Sequence, residues 1–441
     1  MNKGIIGIVG LCVLLAGAPA WAETSEPPET PTHGELLERL ELLEREIQKL
    51  RAEQREQTRH LSVAEIDAAV QQVLEDAGDR SVMPSFAGAT AGYDTTFFLQ
   101  SEDGAFKLKP YFLLQFRGAV QFDDEDETES GFELRRTRFG FLGHALEKVK
   151  YFFLWESLRD GGRTRLLYAF GDVPLGNGWT MRFGQFKDPG SIEWNTSATR
   201  QLAVDRSLVN NVLSGFNIGF VQGVTFTHQT DTTRVTFGYT DGVNTFNTPF
   251  TGGSDPLGDG DFGLTARADY KPFGSWKSTA DLSAVANPMT DPTLLLSLSA
   301  SHTGAGDETV TFVTADMLAK SGDQPLVFFA AVHALQAELD LDTGTNVGGV
   351  VQVGYGVTEQ VEVFGRAGIT HLDSSDLDPT GAGTYPEFTA GFNRFFNGHK
   401  AKFTFDATLY PEGAPRTISG IGVFGNDNTQ VVIRGQIQLQ L

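Results

Sequence analysis

Arg135, Arg136 and Arg138 stand together in the run F-E-L-R-R-T-R-F-G-F. A guanidinium is a planar fork of donors that matches carboxylate or phosphate oxygens two at a time. Lys109, Arg117, Lys150, Arg182 and Lys187 lie in the same stretch, and Phe106 to Arg206 holds more than half of the Lys and Arg found after residue 95. Cations gathered around a narrow passage lower the energy of an anion inside it and repel cations. Equally, they can pair with nearby acids such as Glu133 and Glu156 and brace a wall. Catalytic chemistry is not legible: the histidines are scattered without HExxH spacing, and no Ser/His/Asp set can be assembled from the order of residues. No metal site and no cofactor is expected.

The elements that carry these cations read as strands. In Phe106–Phe122, Phe106, Leu108, Phe112, Leu114, Phe116, Val120 and Phe122 share one face, and Lys107, Lys109, Gln115, Arg117 and Gln121 the other. With Thr137, Phe139 and Phe141 on the outer face, Arg136 and Arg138 point inward and Arg135 sits near the mouth of its strand. Lys150, Phe152, Leu154 and Glu156 share the inward face of the next strand, while Tyr151, Phe153 and Trp155 face outward. The pattern repeats in Phe216–His228 with Thr232–Asp241, Val361–His371, Phe388–Phe396 and Ala401–Tyr410, punctuated by Gly161-Gly162, Asp241-Gly242, Asp259-Gly260 and Asn397-Gly398. It ends in Thr429–Leu441, where Val431, Ile433, Ile437, Leu439 and Leu441 alternate with Arg434, Gln436, Gln438 and Gln440.

Strands apolar on one face and polar on the other, repeated to the last residue, fit an antiparallel transmembrane β-barrel, apolar to lipid and polar to its lumen. An ordinary secreted all-β protein is the alternative. About eighteen candidate segments after residue 95 allow sixteen or eighteen strands, and a barrel of that size encloses water. Two longer irregular stretches, Asp188–Ser214 and Asn244–Asp261, are expected to face outward or to fold into the pore. Charged side chains on the lipid face are costly, so the basic residues belong to the lumen or the rims.

The N-terminal part has another character. Lys3, the apolar run Ile5–Leu15 and Ala20-Trp21-Ala22 read as an export signal over residues 1–22. The chain's single cysteine, Cys12, lies in that run, so the exported chain would have neither disulfides nor thiolate sites. Residues 23–34 read as a disordered linker. Residues 35–76 read as a coiled-coil helix with an a/d seam of Leu36, Leu40, Leu43, Ile47 and Leu50 flanked by Glu and Arg, or as a lone amphipathic helix on the barrel mouth. Residues 77–94 form a small-residue linker before the barrel of 95–441. The net charge of −22 argues against nucleic acid as a partner.

The run F-F-L-x-S-x-D-G-x-F-x-L at Phe97–Leu108, L-Q-F-R at Leu114–Arg117, E-L-R-R-x-R at Glu133–Arg138, R-F-G-Q-F-K at Arg182–Lys187 and D-R-S-L-V at Asp205–Val209 resemble the phosphate-selective porin O and P family. The resemblance implies a trimeric sixteen-stranded outer-membrane barrel that passes anions. In its phosphate-specific members, arginines and lysines of the first strands and the inward loop form the binding site. By motif, Arg135 and Arg136 fall on the family's arginine pair, and Lys109 and Lys150 on lysine positions of neighbouring strands. The sequence departs from the pattern at Leu113, where such members carry arginine, in the acidic run Asp123–Glu127, and at Leu441, where the family usually ends in an aromatic ring.

The expectation is therefore a passive channel for small anions in the outer membrane of a Gram-negative-type envelope, embedded in lipid and homotrimeric, its narrow part lined by Arg136, Arg138, Lys109 and Lys150. The helix would lie in the periplasm. A structural barrel tethered to the cell wall by its coiled coil is a competing reading. A channel for sugars or organic acids is another; a row of lumenal aromatics would favour sugars, and no clear row is visible in the sequence.

Overall fold

The structure, a computed structural model, describes residues 45, 46, 48 and 49, and 88–441 except 95, 125–127, 160, 216–218, 244, 246, 248–261, 287–291, 323, 340–341, 374–382, 416–417 and 419. Arg45, Glu46, Gln48 and Lys49 are helical and exposed. The expected export signal, the linker 23–34, the rest of 35–76 and residues 77–87 lie outside the described residues, as does most of Asn244–Asp261.

Eighteen strands are described. They are β1 (Ala89–Tyr93), β2 (Phe97–Ser101), β3 (Lys107–Asp123), β4 (Thr128–Ala145), β5 (Val149–Ser157), β6 (Thr164–Gly176), β7 (Trp179–Lys187), β8 (Phe220–Gln229) and β9 (Thr233–Thr240). There follow β10 (Phe262–Phe273), β11 (Thr293–Ala305), β12 (Glu308–Lys320), β13 (Leu326–Leu339), β14 (Asp342–Gly356), β15 (Val361–Leu372), β16 (Gly383–Asn397), β17 (Ala401–Tyr410) and β18 (Gln430–Gln440). Each strand from β3 to β18 pairs antiparallel with the next, and β18 pairs back onto β3, from Gln440 opposite Leu113 to Gln430 opposite Asp123. Sixteen strands therefore close the wall on itself, as a sheet that spans lipid must. The other two form a hairpin beside β3, so of the sixteen or eighteen strands the sequence allowed, the closed wall has sixteen. The hairpin's first strand falls in the expected small-residue linker. There Gly92 leaves room for Phe98 to lie across β1, since a Cβ would stand 2.5 Å from the Phe98 ring.

Alternation decides which way each side chain faces. On β10, Leu264 and Tyr270 are exposed on the outer face, while Thr265, Arg267, Asp269 and Lys271 are buried inside. The outer face of β4 and β5 carries Phe139, Phe141, Tyr151, Phe153 and Trp155 in mutual ring contact. Such a surface suits lipid.

The interior is not an empty tube. The segment after β7 folds into it, and Leu202, Leu208, Val209, Val212 and Leu213 pack on inward residues of β12 to β16 such as Phe312, Phe329, Val350 and Phe364. Two glycines permit this approach. A Cβ at Gly348 would lie 2.8 Å from Val209 Cγ1, and one at Gly354 3.0 Å from Leu202 Cδ1. The connections after β10 and β17 also turn inward, burying Asp281, Leu282 and Ser283 in the first case and Ile418, Ile421 and Val423 in the second. The β10–β11 connection meets the β7–β8 segment, where the Leu282 N–H donates to the Arg200 carbonyl at 3.2 Å. One half of the lumen is thus filled, and the inner faces of β5 to β9 are left more open.

Candidate functional site

Irregular backbone at membrane depth must find its hydrogen bonds within the protein. The wall supplies them to the inward segment. Asp316, Asp406 and Glu387 accept from the backbone N–H groups of Ile192, Val204 and Leu208. Asn393, Lys402 and Arg366 donate to the carbonyls of Leu202, Gln201 and Asp205, each at 2.9 Å. The closing strand joins in: Gln438 donates to Thr199 O, and Arg434 holds Asp406 through two bonds of 2.7 and 3.1 Å. Its polar face is therefore covered by inward segments.

Asp205 is the hub of this clamp. On β4 the register slips so that Gln115 faces Arg136 while Phe116 faces Leu134, which leaves Arg135 as an extra, bulged residue. The bulge brings Arg135 and Arg136 to one side, and both reach Asp205 at 3.0 Å. Arg117 of β3 bonds to the same carboxylate and to Glu133. Burial alone would raise the Asp205 carboxyl, but Arg135, Arg117 and Arg136 outweigh it and hold it well below the usual carboxylate range.

Of the other sequence candidates, Arg138 pairs with Glu156 at 2.8 Å. Lys109 pairs with Asp94 at 2.5 Å, as Lys107 does at 2.8 Å, at the turn of the N-terminal hairpin. Lys150 is exposed and has no ion pair among the described residues. The structure thus gathers Arg117, Arg135 and Arg136 under the inward segment and leaves Arg138, Lys109 and Lys150 on the wall of β3 to β5. Of the four residues expected to line the narrow part, Arg136 is therefore covered by the inward segment, while Arg138, Lys109 and Lys150 lie on the wall.

A different set surrounds open space. A cavity of about 580 Å³ lies between the inward segment and β6 to β11, and five cations line it: Arg182, Lys187, Arg200, Arg234 and Arg267. Two carboxylates, Asp172 and Asp269, line it as well, so three net positive charges remain among the lining groups. Arg182 is bound bidentately to Asp172 at 2.7 and 2.8 Å. Arg234 and Arg267 share Asp269, and Arg267 also reaches Asp316 at 3.1 Å and the Gly190 carbonyl. Lys187 donates to Trp194 O, and Arg200 to Ala280 O at 3.4 Å. Arg182 and Lys187 were legible in the sequence. Arg200, Arg234 and Arg267 were not, because only the pairing of β9 with β10 and the inward course of the segment bring them together. The alternation of Arg267 and Asp269 on β10 was the one available signal.

Asp188, at the root of the inward segment, lies between Lys187 and Pro189, which both line the cavity. It accepts from Ser301 Oγ at 2.8 Å, and burial pushes its carboxyl up to about 6. A raised value means that the folded chain favours the neutral form. The stabilisation is complete below the usual carboxylate range and is lost as pH rises through about 6. Lowering the pH from 7 to 5 therefore removes most of one negative charge beside the cavity. Anion preference in a bilayer recording should rise over that window, and Asp188→Asn should remove this rise. An unchanged pH response in the variant would contradict the assignment.

The comparisons agree with this architecture. A family model described as phosphate-selective porin O and P matches residues 113–385. Among solved structures, the anion-selective porin from Comamonas acidovorans is 12% identical, with a TM-score of 0.52 over 76% of this chain and 99% of that one. Salmonella typhi OmpF, in complex with daunomycin, is 10% identical, with a TM-score of 0.54 over 80% of this chain and 100% of that one. At such identities the likeness is one of fold. No curated protein matches the chain in sequence.

Proposed function

The chain belongs to the phosphate-selective porin O and P family, and on that premise we propose that this outer-membrane channel passes small anions by passive diffusion through the cavity between its inward segment and β6 to β11. The observation that carries the reading is the excess of five cations over two carboxylates around that space. An anion entering it exchanges part of its hydration for these groups, and no energy source is needed.

The arrangement favours attraction over capture. The forks of Arg182, Arg234 and Arg267 are already occupied by Asp172, Asp269 and Asp316. Conduction needs binding weak enough for release, and pre-engaged guanidiniums provide it. We therefore read the channel as a general anion pathway without a tight phosphate site. Adding phosphate to a chloride-carrying channel should halve the current only at about 1 mM or above, the range of weak binding. Block in the micromolar range would overturn this reading. A homotrimer embedded in lipid, as the family implies, and a periplasmic helix that joins its subunits complete the proposal; the support for the helix is the heptad spacing of Leu36, Leu40, Leu43, Ile47 and Leu50.

A further inference from the structure

Inward apolar residues on β12 to β16 are sealed under the inward segment. Those on β3 to β6 are different. Tyr111, Phe152, Tyr168 and Phe170 each keep part of their surface open, and Leu142, on the same inner face, is 37% exposed. The strand register explains the grouping. Lys109, Leu142, Phe152, Phe170 and Gly184 lie opposite one another across β3 to β7, and Tyr111, Gly140, Leu154 and Tyr168 form the adjacent row. Gly140 and Gly184 bring no side chain, so Tyr111 and Phe170 have no cross-strand neighbour there.

The rings form a continuous track. Tyr111 and Phe152 are 5.9 Å apart between centroids, Phe152 and Tyr168 5.2 Å, Phe152 and Phe170 6.0 Å, and Tyr168 and Phe220 5.0 Å. The track reaches the cationic cavity at two points. Arg182 lies over Phe170 at 4.0 Å, and Lys187 lies over Trp194 at 4.7 Å. Trp194 in turn touches Phe220 at 6.0 Å. The absence of a lumenal aromatic row expected from the sequence is thus not what the structure has. The row runs across strands, where a linear reading does not see it.

Partly open aromatic surface in a watery lumen costs free energy unless something apolar covers it. We propose that this row, together with Arg182 and Lys187, makes the channel take carboxylates joined to a flat aromatic ring in preference to inorganic or aliphatic anions. The inference rests on the anion-channel reading and narrows it. The ring geometry favours an aromatic ligand over a sugar. Four of the interior pairs, Tyr111–Phe152, Phe152–Phe170, Tyr168–Phe170 and Tyr168–Phe220, are edge-to-face at 70–77°. A further aromatic ring extends such a herringbone, because its edge carries the positive side of the ring quadrupole to a neighbour's face. A sugar instead needs broad parallel faces. The carboxylate of the ligand would meet Arg182 or Lys187 at the end of the track.

The test uses the full-length protein in planar bilayers. Benzoate, cyclohexanecarboxylate, acetate and a neutral hexose are added in turn to a chloride-carrying channel. Benzoate should reduce the chloride current at a concentration roughly three- to tenfold lower than cyclohexanecarboxylate, the range expected for one added ring–ring contact. Phe152→Leu and Phe170→Leu should each shrink that ratio. Equal potency of benzoate and cyclohexanecarboxylate, which needs no variant to observe, would overturn the proposal, as would a hexose as effective as benzoate. Cation preference of the unmodified channel would instead overturn the reading beneath it.

Discussion

Replacing Asp205 with alanine should destabilise the barrel by about 3–5 kcal/mol, the usual cost of leaving buried charge without its partner. Asp205 and Arg117 are each only 1% exposed, and Arg135 and Arg136 converge on the same carboxylate. Removal of the acid leaves three guanidiniums facing one another in a place with little water. Their repulsion should push residues near Asp205 away from β3 and β4, although Asp316, Asp406 and Glu387 still hold the segment elsewhere. The expected result is a lower thermal transition together with larger and noisier single-channel currents. Because the carboxyl lies well below its usual range, its stabilising contribution is present above that range and is lost only as pH falls through the depressed value. The unmodified clamp should therefore stay closed in mild acid. Normal stability and quiet wild-type currents in Asp205→Ala would show that the arginine cluster does not hold the segment.

Arg200→Glu should have the largest effect on selectivity. Arg200 lines the cavity, and the structure gives it a 3.4 Å bond to a main-chain carbonyl with no ion pair among the described residues. The substitution lowers the net charge of the lining groups from three to one. A unit charge about 4 Å from a passing ion contributes about 1 kcal/mol in water. Reversal of one charge is then worth about 2 kcal/mol, or up to roughly thirtyfold in local anion occupancy, reduced by screening at high salt. The anion-to-cation permeability ratio should fall several-fold at low ionic strength and less in concentrated salt. Arg136→Gln should act in the opposite manner, with reduced stability and little change in selectivity, because Arg136 is covered by the inward segment. A large selectivity change in Arg136→Gln with none in Arg200→Glu would place the selective site under the segment instead.

The barrel was legible because alternation is a local property. The strand Ala401–Tyr410 was readable to its bounds, and the outward aromatics Tyr151, Phe153 and Trp155 followed from period two alone. The inward segment after Asp188 could be marked as irregular, but its course could not be read, since its contacts join residues such as Val204 and Asp406 that are far apart in the chain. That course decides which cations meet water. It covers Arg136 and Arg117, and it carries Arg200 to the cavity beside Arg267. Arg135 was misplaced for another reason: a single bulged residue breaks period two, and nothing in R-R-T-R announces it. The inward β10–β11 connection went unmarked, because what turns it inward is contact with residues distant in the chain, such as the bond of Leu282 N–H to the Arg200 carbonyl. The terminal glutamines faced inward as the alternation implied, yet Gln115 and Gln438 bond to the inward segment and to each other.

The most direct test of the anion pathway is the zero-current potential of the unmodified channel in a planar bilayer with a potassium chloride gradient. An excess of positive charge around the cavity predicts a potential of the sign set by chloride, growing as the bulk salt is diluted. A potential of the sign set by potassium would contradict it.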